Sequence, residues 1–242
     1  MLIKRLKELL LTCAILPILV QPVLAHSIWI VRDDNNGEFD ILYGHPEEGP
    51  QSYDSIKFQG ALAYDKTGAI VPISSKRKYN GVSVIPKGNI ASITAGHNNG
   101  YFIRTGEDEY RNVFRPEALE SNTSQVEISH TYKFTKAFFE SSGLVSQRFG
   151  LPLEIVPEQD PFKIGAGGTL KLQVLFKGVP QQGVTVEYRG KKVTTNNNGI
   201  AFITLGQGKQ HIIESEYSIP SRRDAAADEI GYASSLTIDK GR

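Results

Sequence analysis

Five histidines stand at positions 26, 45, 97, 130 and 211, and one of them is set apart by where it falls. The first 25 residues have the grammar of a secretory signal peptide. Lys4, Arg5 and Lys7 form a positive start, an apolar run extends from Leu9 to Val20, and Val23-Leu24-Ala25 precedes the expected cut. Cleavage after Ala25 makes His26 the first residue of the mature chain. It then offers two ligand nitrogens, the free α-amine and the imidazole Nδ1, which together close a chelate ring on a metal ion. Backbone nitrogens elsewhere are amides and poor ligands, so only a terminal histidine can do this. The plain alternative is that cleavage leaves His26 first by chance.

His45 lies in Leu42-Tyr43-Gly44-His45-Pro46-Glu47-Glu48-Gly49, where a turn can aim an imidazole outward. Glu47 and Glu48 could add oxygen ligands or orient a ring, or simply be a solvated acidic turn. His130 falls on the apolar side of an alternating set with Val126, Ile128, Tyr132 and Phe134. A neutral, hydrogen-bonded core histidine explains it equally well. His97 and His211 have only ordinary readings. No pair has the close spacing of a zinc finger or an HExxH helix, so a metal site must be assembled in three dimensions. If His26, His45 and His130 converge, the site is rich in nitrogen and oxygen and lacks sulfur. That disfavours Cu(I) and leaves Ni(II), Co(II), Cu(II) and Zn(II).

Removing the leader takes Cys13 and Met1 with it, so the mature chain has no disulfide, thiolate or thioether. The formal charge moves from +1 to about −1, which gives no electrostatic reason to expect nucleic acid or an anionic membrane. Motifs for enzymes are also missing. Gly165-Ala166-Gly167-Gly168 precedes a strand pattern and reads as a turn, and no GxSxG elbow is present. Acidic pairs such as Asp33-Asp34, Asp228-Glu229 and those within 107–109 sit in polar, turn-like stretches. The expectation is a protein that is not an enzyme.

Short apolar segments of period two dominate, which predicts an all-β fold. Strands are expected at 27–31, 39–43, 61–64, 82–85, 90–95 and 101–105. Asn35-Asn36-Gly37, Lys66-Thr67-Gly68, Lys87-Gly88-Asn89 and Asn98-Asn99-Gly100 are expected as turns. One short helix is expected within Lys136–Ser146, and a seam near Gly150-Leu151-Pro152. Residues 26–150 would then form an N-terminal β-sandwich or barrel-like domain. Residues 151–242 would form an immunoglobulin-like or transthyretin-like β-sandwich, with a long loop at 218–229 before a last strand at 232–238.

Ala25-His26-Ser27-Ile28-Trp29-Ile30 followed by Leu42-Tyr43-Gly44-His45 resembles the mature start of a periplasmic domain-of-unknown-function family associated with nickel and cobalt uptake. The likeness continues through Ser129-His130-Thr131-Tyr132-Lys133-Phe134, Gly150–Pro157 with Asp160-Pro161, the 178–184 segment and Asn198-Gly199-Ile200-Ala201. It implies a periplasmic protein that binds a divalent transition metal, Ni(II) or Co(II) before Cu(II) or Zn(II). Carried over position by position, it implies His26, His45 and His130 as ligands. It further implies that metal is buffered or delivered to an envelope uptake system, with an inner- or outer-membrane transporter as partner. Two other expectations stand beside this one. One is a copper oxygenase built on a histidine brace. The other is a metal-free β-sandwich interaction module.

Overall fold

The computed structural model describes residues 26–104, 110–114 and 127–241. The expected leader at 1–25 and the acidic residues at 107–109 lie outside these residues. In chain order the strands are β1 (Ser27–Arg32), β2 (Phe39–His45), β3 (Gly49–Gln51), β4 (Phe58–Tyr64), β5 (Ile70–Val71), β6 (Ile73–Lys78), β7 (Gly81–Pro86), β8 (Ser92–Arg104) and β9 (Tyr110–Val113). They continue as β10 (Glu127–Phe138), β11 (Leu153–Pro157), β12 (Thr169–Phe176), β13 (Val179–Pro180), β14 (Thr185–Tyr188), β15 (Lys191–Thr194), β16 (Ile200–Thr204), β17 (Gln210–Pro220) and β18 (Glu229–Asp239). Among the described residues the only helical segments are single 3-10 turns, such as Gly143–Ser146. None is long and apolar enough to cross a membrane.

The strands form three sheets. A small sheet runs β1-β2-β7-β6 with β3 on β2, a nine-stranded sheet runs β15-β14-β17-β18-β10-β8-β4-β5 with β9 on β8, and a third joins β11, β12, β13 and β16. The nine-stranded sheet is the middle layer, and β10 shows why. One set of its side chains, including Ala137, packs with Ile28, Ile30 and Ile41 of the small sheet. The alternate Phe138 packs with Leu153, Ile155, Leu170 and Leu172 of the third sheet. A strand covered on both faces no longer alternates between a buried and a solvated side, so its pattern breaks down where the two layers cover it.

That double burial explains two differences from the expected elements. The helix expected within Lys136–Ser146 is instead the end of β10, a turn and the 3-10 helix Gly143–Ser146. Asn98-Asn99-Gly100 is no hairpin turn but a bulge within the 13-residue β8: Thr131 faces Gly100 while Tyr132 faces Asn98, leaving Asn99 extra. Gly100 has φ +77, and a Cβ there would meet the Val113 carbonyl oxygen at 2.4 Å. The same Asn-Gly chemistry serves a turn or a bulge.

The seam expected near residue 150 is spanned by hydrogen bonding. β18 returns to pair in parallel with β10 from Ser129↔Glu229 to Phe138↔Ile238. A buried ion pair joins the same halves: Lys136 Nζ lies 2.7 Å from Glu154 Oε1, and Lys136 is 1 % exposed. Glu154 also accepts hydrogen bonds from the Phe149 and Gly150 amides at 2.7 and 3.0 Å. Removing one member of such a pair leaves the other charge buried and alone. Lys136→Met is therefore expected to lower stability by about 3–5 kcal/mol in urea unfolding; a loss below about 1 kcal/mol would mean that the strut carries no weight.

Candidate functional site

β1 is an edge strand of the small sheet, and its first residues cross the face of the nine-stranded sheet. Lys133 on β10 donates from Nζ to the His26 carbonyl, and Ser235 on β18 donates from Oγ to the Ile28 carbonyl. These side chains satisfy outward carbonyls that no neighbouring strand reaches, so they set where residue 26 sits. On its other edge β1 pairs with β2, with Ser27 opposite Gly44. Gly44 has φ +134, and a Cβ there would stand 3.0 Å from the Gly49 carbonyl oxygen. Glycine is thus required for the tight β2–β3 turn that presents His45.

The result is a packed cluster of rings. The His26 ring stacks on Tyr43 at 5.0 Å and 7° and lies 4.5 Å from the His45 ring. Nε2 of His26 donates to Gln51 Oε1 on β3 at 2.9 Å. With the proton on Nε2, Nδ1 is left as the ring's lone-pair nitrogen. Burial, His45 and Lys133 pull the His26 pKa below the usual histidine range, outweighing the Gln51 hydrogen bond and the Glu48 charge. Its imidazole is therefore in the neutral, ligating form at neutral pH.

Register decides which other histidines come near. Lys133 faces His97 on β8, so the two share the side of the sheet on which His26 lies. His97 packs against Tyr43 and Tyr53 at 5.6 and 5.0 Å. His130 is three residues from Lys133 on the regular strand β10 and therefore points to the opposite face. There its Nδ1 is 2.7 Å from Asp224 Oδ2 and its Nε2 is 3.0 Å from Asn98 Oδ1. The structure thus brings His26 and His45 together and does not bring His130 to them. The expected three-histidine convergence is not formed, because side-chain alternation puts His130 beneath the sheet. Among the described residues no three His, Cys, Asp or Glu side chains group as a metal cluster. His211 is bonded instead to the Tyr188 hydroxyl at 2.6 Å.

Residues that the sequence reading left aside surround the ring cluster. Gln51 orients His26, Lys133 anchors it, and Lys57 lies 6.0 Å above the Tyr43 ring while bonding Asn99 and Asn112. Lys133 was part of a recognised motif, but Gln51 carried no signal because its partner is 25 residues away. Glu214 lies on the same side of the sheet, where burial pushes its carboxyl up to about 7.

His97 is 1 % exposed, and neither ring nitrogen has a hydrogen-bond partner among the described residues. Burial, with Lys133 and Lys57 nearby, lowers its pKa to about 3. Unfolding returns it to an ordinary value near 6.5, so the unfolded chain binds more protons between those two values. Stability from this group is complete above about pH 6.5 and is lost as pH falls toward 3. His97→Phe is expected to flatten that acid loss in denaturant unfolding between pH 6.5 and 4, and to stabilise the protein at pH 5. An unchanged pH profile would show that His97 does not resist protonation.

No curated protein and no solved structure matches the chain. A family model, described as a domain of unknown function, DUF4198, matches residues 23–218. That match spans most of the chain, including the His26–His45 cluster and the sheet beneath it, and the chain belongs to the DUF4198 family.

Proposed function

We propose that this chain is an exported periplasmic protein that holds a divalent transition metal at its mature N-terminus and hands it to an envelope uptake system. The leader grammar of residues 1–25 supports export and cleavage after Ala25. The observation that carries the metal reading is the His26 ring, whose Nε2 is committed to Gln51 at 2.9 Å beside the His45 ring at 4.5 Å. That leaves Nδ1 for the chelate ring with the α-amine. Ring centres at this spacing suit two imidazoles side by side on one ion with bonds of about 2.0–2.1 Å. Two side chains are enough because the terminal residue supplies two nitrogens. Nickel or cobalt is ranked first by the resemblance of the His26 and His45 motifs; the nitrogens themselves accept Cu(II) or Zn(II) as well. An inner- or outer-membrane transporter is the partner on this reading.

A second reading is favoured by the position of His130. With that ring on the far face, the ligands reduce to the α-amine, Nδ1 of His26 and His45. Three nitrogens with open positions compose a histidine brace, which suits a copper oxygenase. Peroxide production by the reduced copper form would favour this reading, and its absence would count against it.

The test is titration of protein beginning at His26 with Ni(II), Co(II), Cu(II) and Zn(II), against a variant with one extra residue before His26. Tight binding is expected to weaken beyond about 10 μM when the residue is added. Gln51→Ala is expected to cost about 10–100-fold in affinity, as loss of a ring-orienting partner does. His130→Gln is expected to leave affinity unchanged. Equal binding by the native and extended proteins would overturn the terminal chelate.

A further inference from the structure

Three turns marked in the sequence, Asn35-Asn36-Gly37, Lys66-Thr67-Gly68 and Lys87-Gly88-Asn89, meet at one end of the fold. They rim a cavity of about 850 Å³ that opens beside Arg32, the last residue of β1. Sites for small molecules commonly measure about 300–1,000 Å³. At about 3.3 Å per residue, β1 sets Arg32 about 20 Å from residue 26. The cavity is therefore separate from the His26–His45 cluster at the other end of the same strand.

Its rim is fixed by backbone hydrogen bonds. The Gly37 amide donates to the Asp33 carbonyl at 3.0 Å, and the Gly68 amide donates to the Asp65 carbonyl at 3.0 Å. The Lys87 amide reaches the Pro72 carbonyl at 2.8 Å, which ties the third turn to β5 and β6. Ala91 links β4 to the end of β10, its amide donating to Tyr64 at 2.7 Å and its carbonyl accepting from Phe139 at 2.9 Å. Ile70, Val71, Pro72, Pro86 and Ile90 make the walls apolar. Ile70 is 64 % exposed, so apolar surface stands open there.

Arg32 supplies the polar group. Its guanidinium carbon lies 5.3 Å from the centre of the Phe39 ring and 5.4 Å from that of Phe139. The two rings meet edge to face at 4.7 Å and together seat the cation. Among the described residues the guanidinium has no hydrogen-bond acceptor and no ion-pair partner. Its planar fork of donors matches a carboxylate with two parallel hydrogen bonds. The other charged groups lining the cavity are Lys66, Lys87, Asp65 and Glu140. Oδ1 of Asp65 is spent on its own turn, accepting from the Thr67 amide and hydroxyl at 2.8 and 2.6 Å and from the Ala69 amide at 3.1 Å. Three cations against two carboxylates match a single negative charge better than a phosphate dianion.

We propose that this cavity binds a small amphiphilic carboxylate, its head on the Arg32 fork and its aliphatic body along Val71, Pro86 and Ile90. The fork orients the head, and the body covers wall that otherwise faces water. Branched aliphatic and proline side chains offer contact area with few polar atoms, which suits an alkyl chain. The site stands whether or not metal binds at His26.

The experiment is calorimetric titration of the chain beginning at His26 with octanoate, with octanol as the same body uncharged and acetate as the head alone. Methyl NMR shifts at Val71 and Ile90 report the place of binding. Octanoate is expected to bind with a Kd below about 1 mM and to move both methyl signals. Octanol and acetate are each expected to bind about tenfold more weakly, the size of one charge-assisted hydrogen-bonded contact or of a few buried methylenes. Arg32→Gln is expected to weaken octanoate about tenfold and to leave octanol unchanged, so the octanol result also shows that the variant folds. Equal affinity of the native protein for octanoate and octanol would overturn the proposal, and that comparison needs no variant. So would octanoate binding that leaves the Val71 and Ile90 methyls unmoved, or that Arg32→Gln does not weaken.

Discussion

The candidate site depends on how one edge strand is fastened. Among the described residues β1 has a hydrogen-bonded strand neighbour only in β2, and its other edge would present bare carbonyls to the interior. Lys133 and Ser235 rise from the nine-stranded sheet to meet the carbonyls of His26 and Ile28, and Thr135 Oγ1 lies 2.8 Å from the Ser235 hydroxyl. A buried ammonium is costly unless it is hydrogen-bonded and paired. Lys133 is 1 % exposed, and burial pulls its pKa down against the nearby charges of Glu216 and Glu214. A lysine kept there holds residue 26 at one height above the sheet. An apolar side chain of the same length would leave that carbonyl unsatisfied and the strand end free to lift.

Alternation along β10 then divides the chemistry. Lys133 and Thr135 serve β1 on one face, while His130 and Lys136 serve the loop 221–228 and Glu154 on the other. Because the strand pairs in parallel with β18 through ten residues, it has no room to slip by one. A slip would move His130 to the face of His26 and put Lys133 against Asp224. The register therefore keeps the His26 and His130 imidazoles on opposite faces of the sheet.

Much of this was legible in the residues, and the exceptions have physical causes. Alternation placed Phe39–Tyr43 and Leu170–Phe176 in strands, and the turn at Asn35-Asn36-Gly37 is marked by its positive-φ glycine. It even placed His130 with Tyr132 and apart from Lys133. What alternation cannot say is which neighbouring layer each face meets. His130 was read as a core histidine or a ligand because its partner Asp224 lies 94 residues away. His97 was passed over because a bulge and a turn are written with the same Asn-Asn-Gly. The pairing across the seam near Gly150 was illegible for a similar reason. The residues there do form a connection, but β18 crosses back over it after about 80 residues, and pairing at that separation leaves no local trace.

A chelate at a strand end, as proposed, would have a consequence that a cage of converging side chains would not. Such a cage needs several strands to agree within a few tenths of an ångström. On the proposed reading two nitrogens come from one residue, whose backbone is held by the Lys133 hydrogen bond and whose ring is held by Gln51. The same fastening puts an ammonium next to the residue proposed to hold a dication, and like charges raise the energy of the loaded state. Gln51 is a neutral acceptor behind the ring, where a carboxylate would have strengthened the ligand further. A positive anchor and a neutral orienting group both favour a site that is well formed yet ready to release. On the proposed reading that balance suits hand-over to a transporter better than permanent storage.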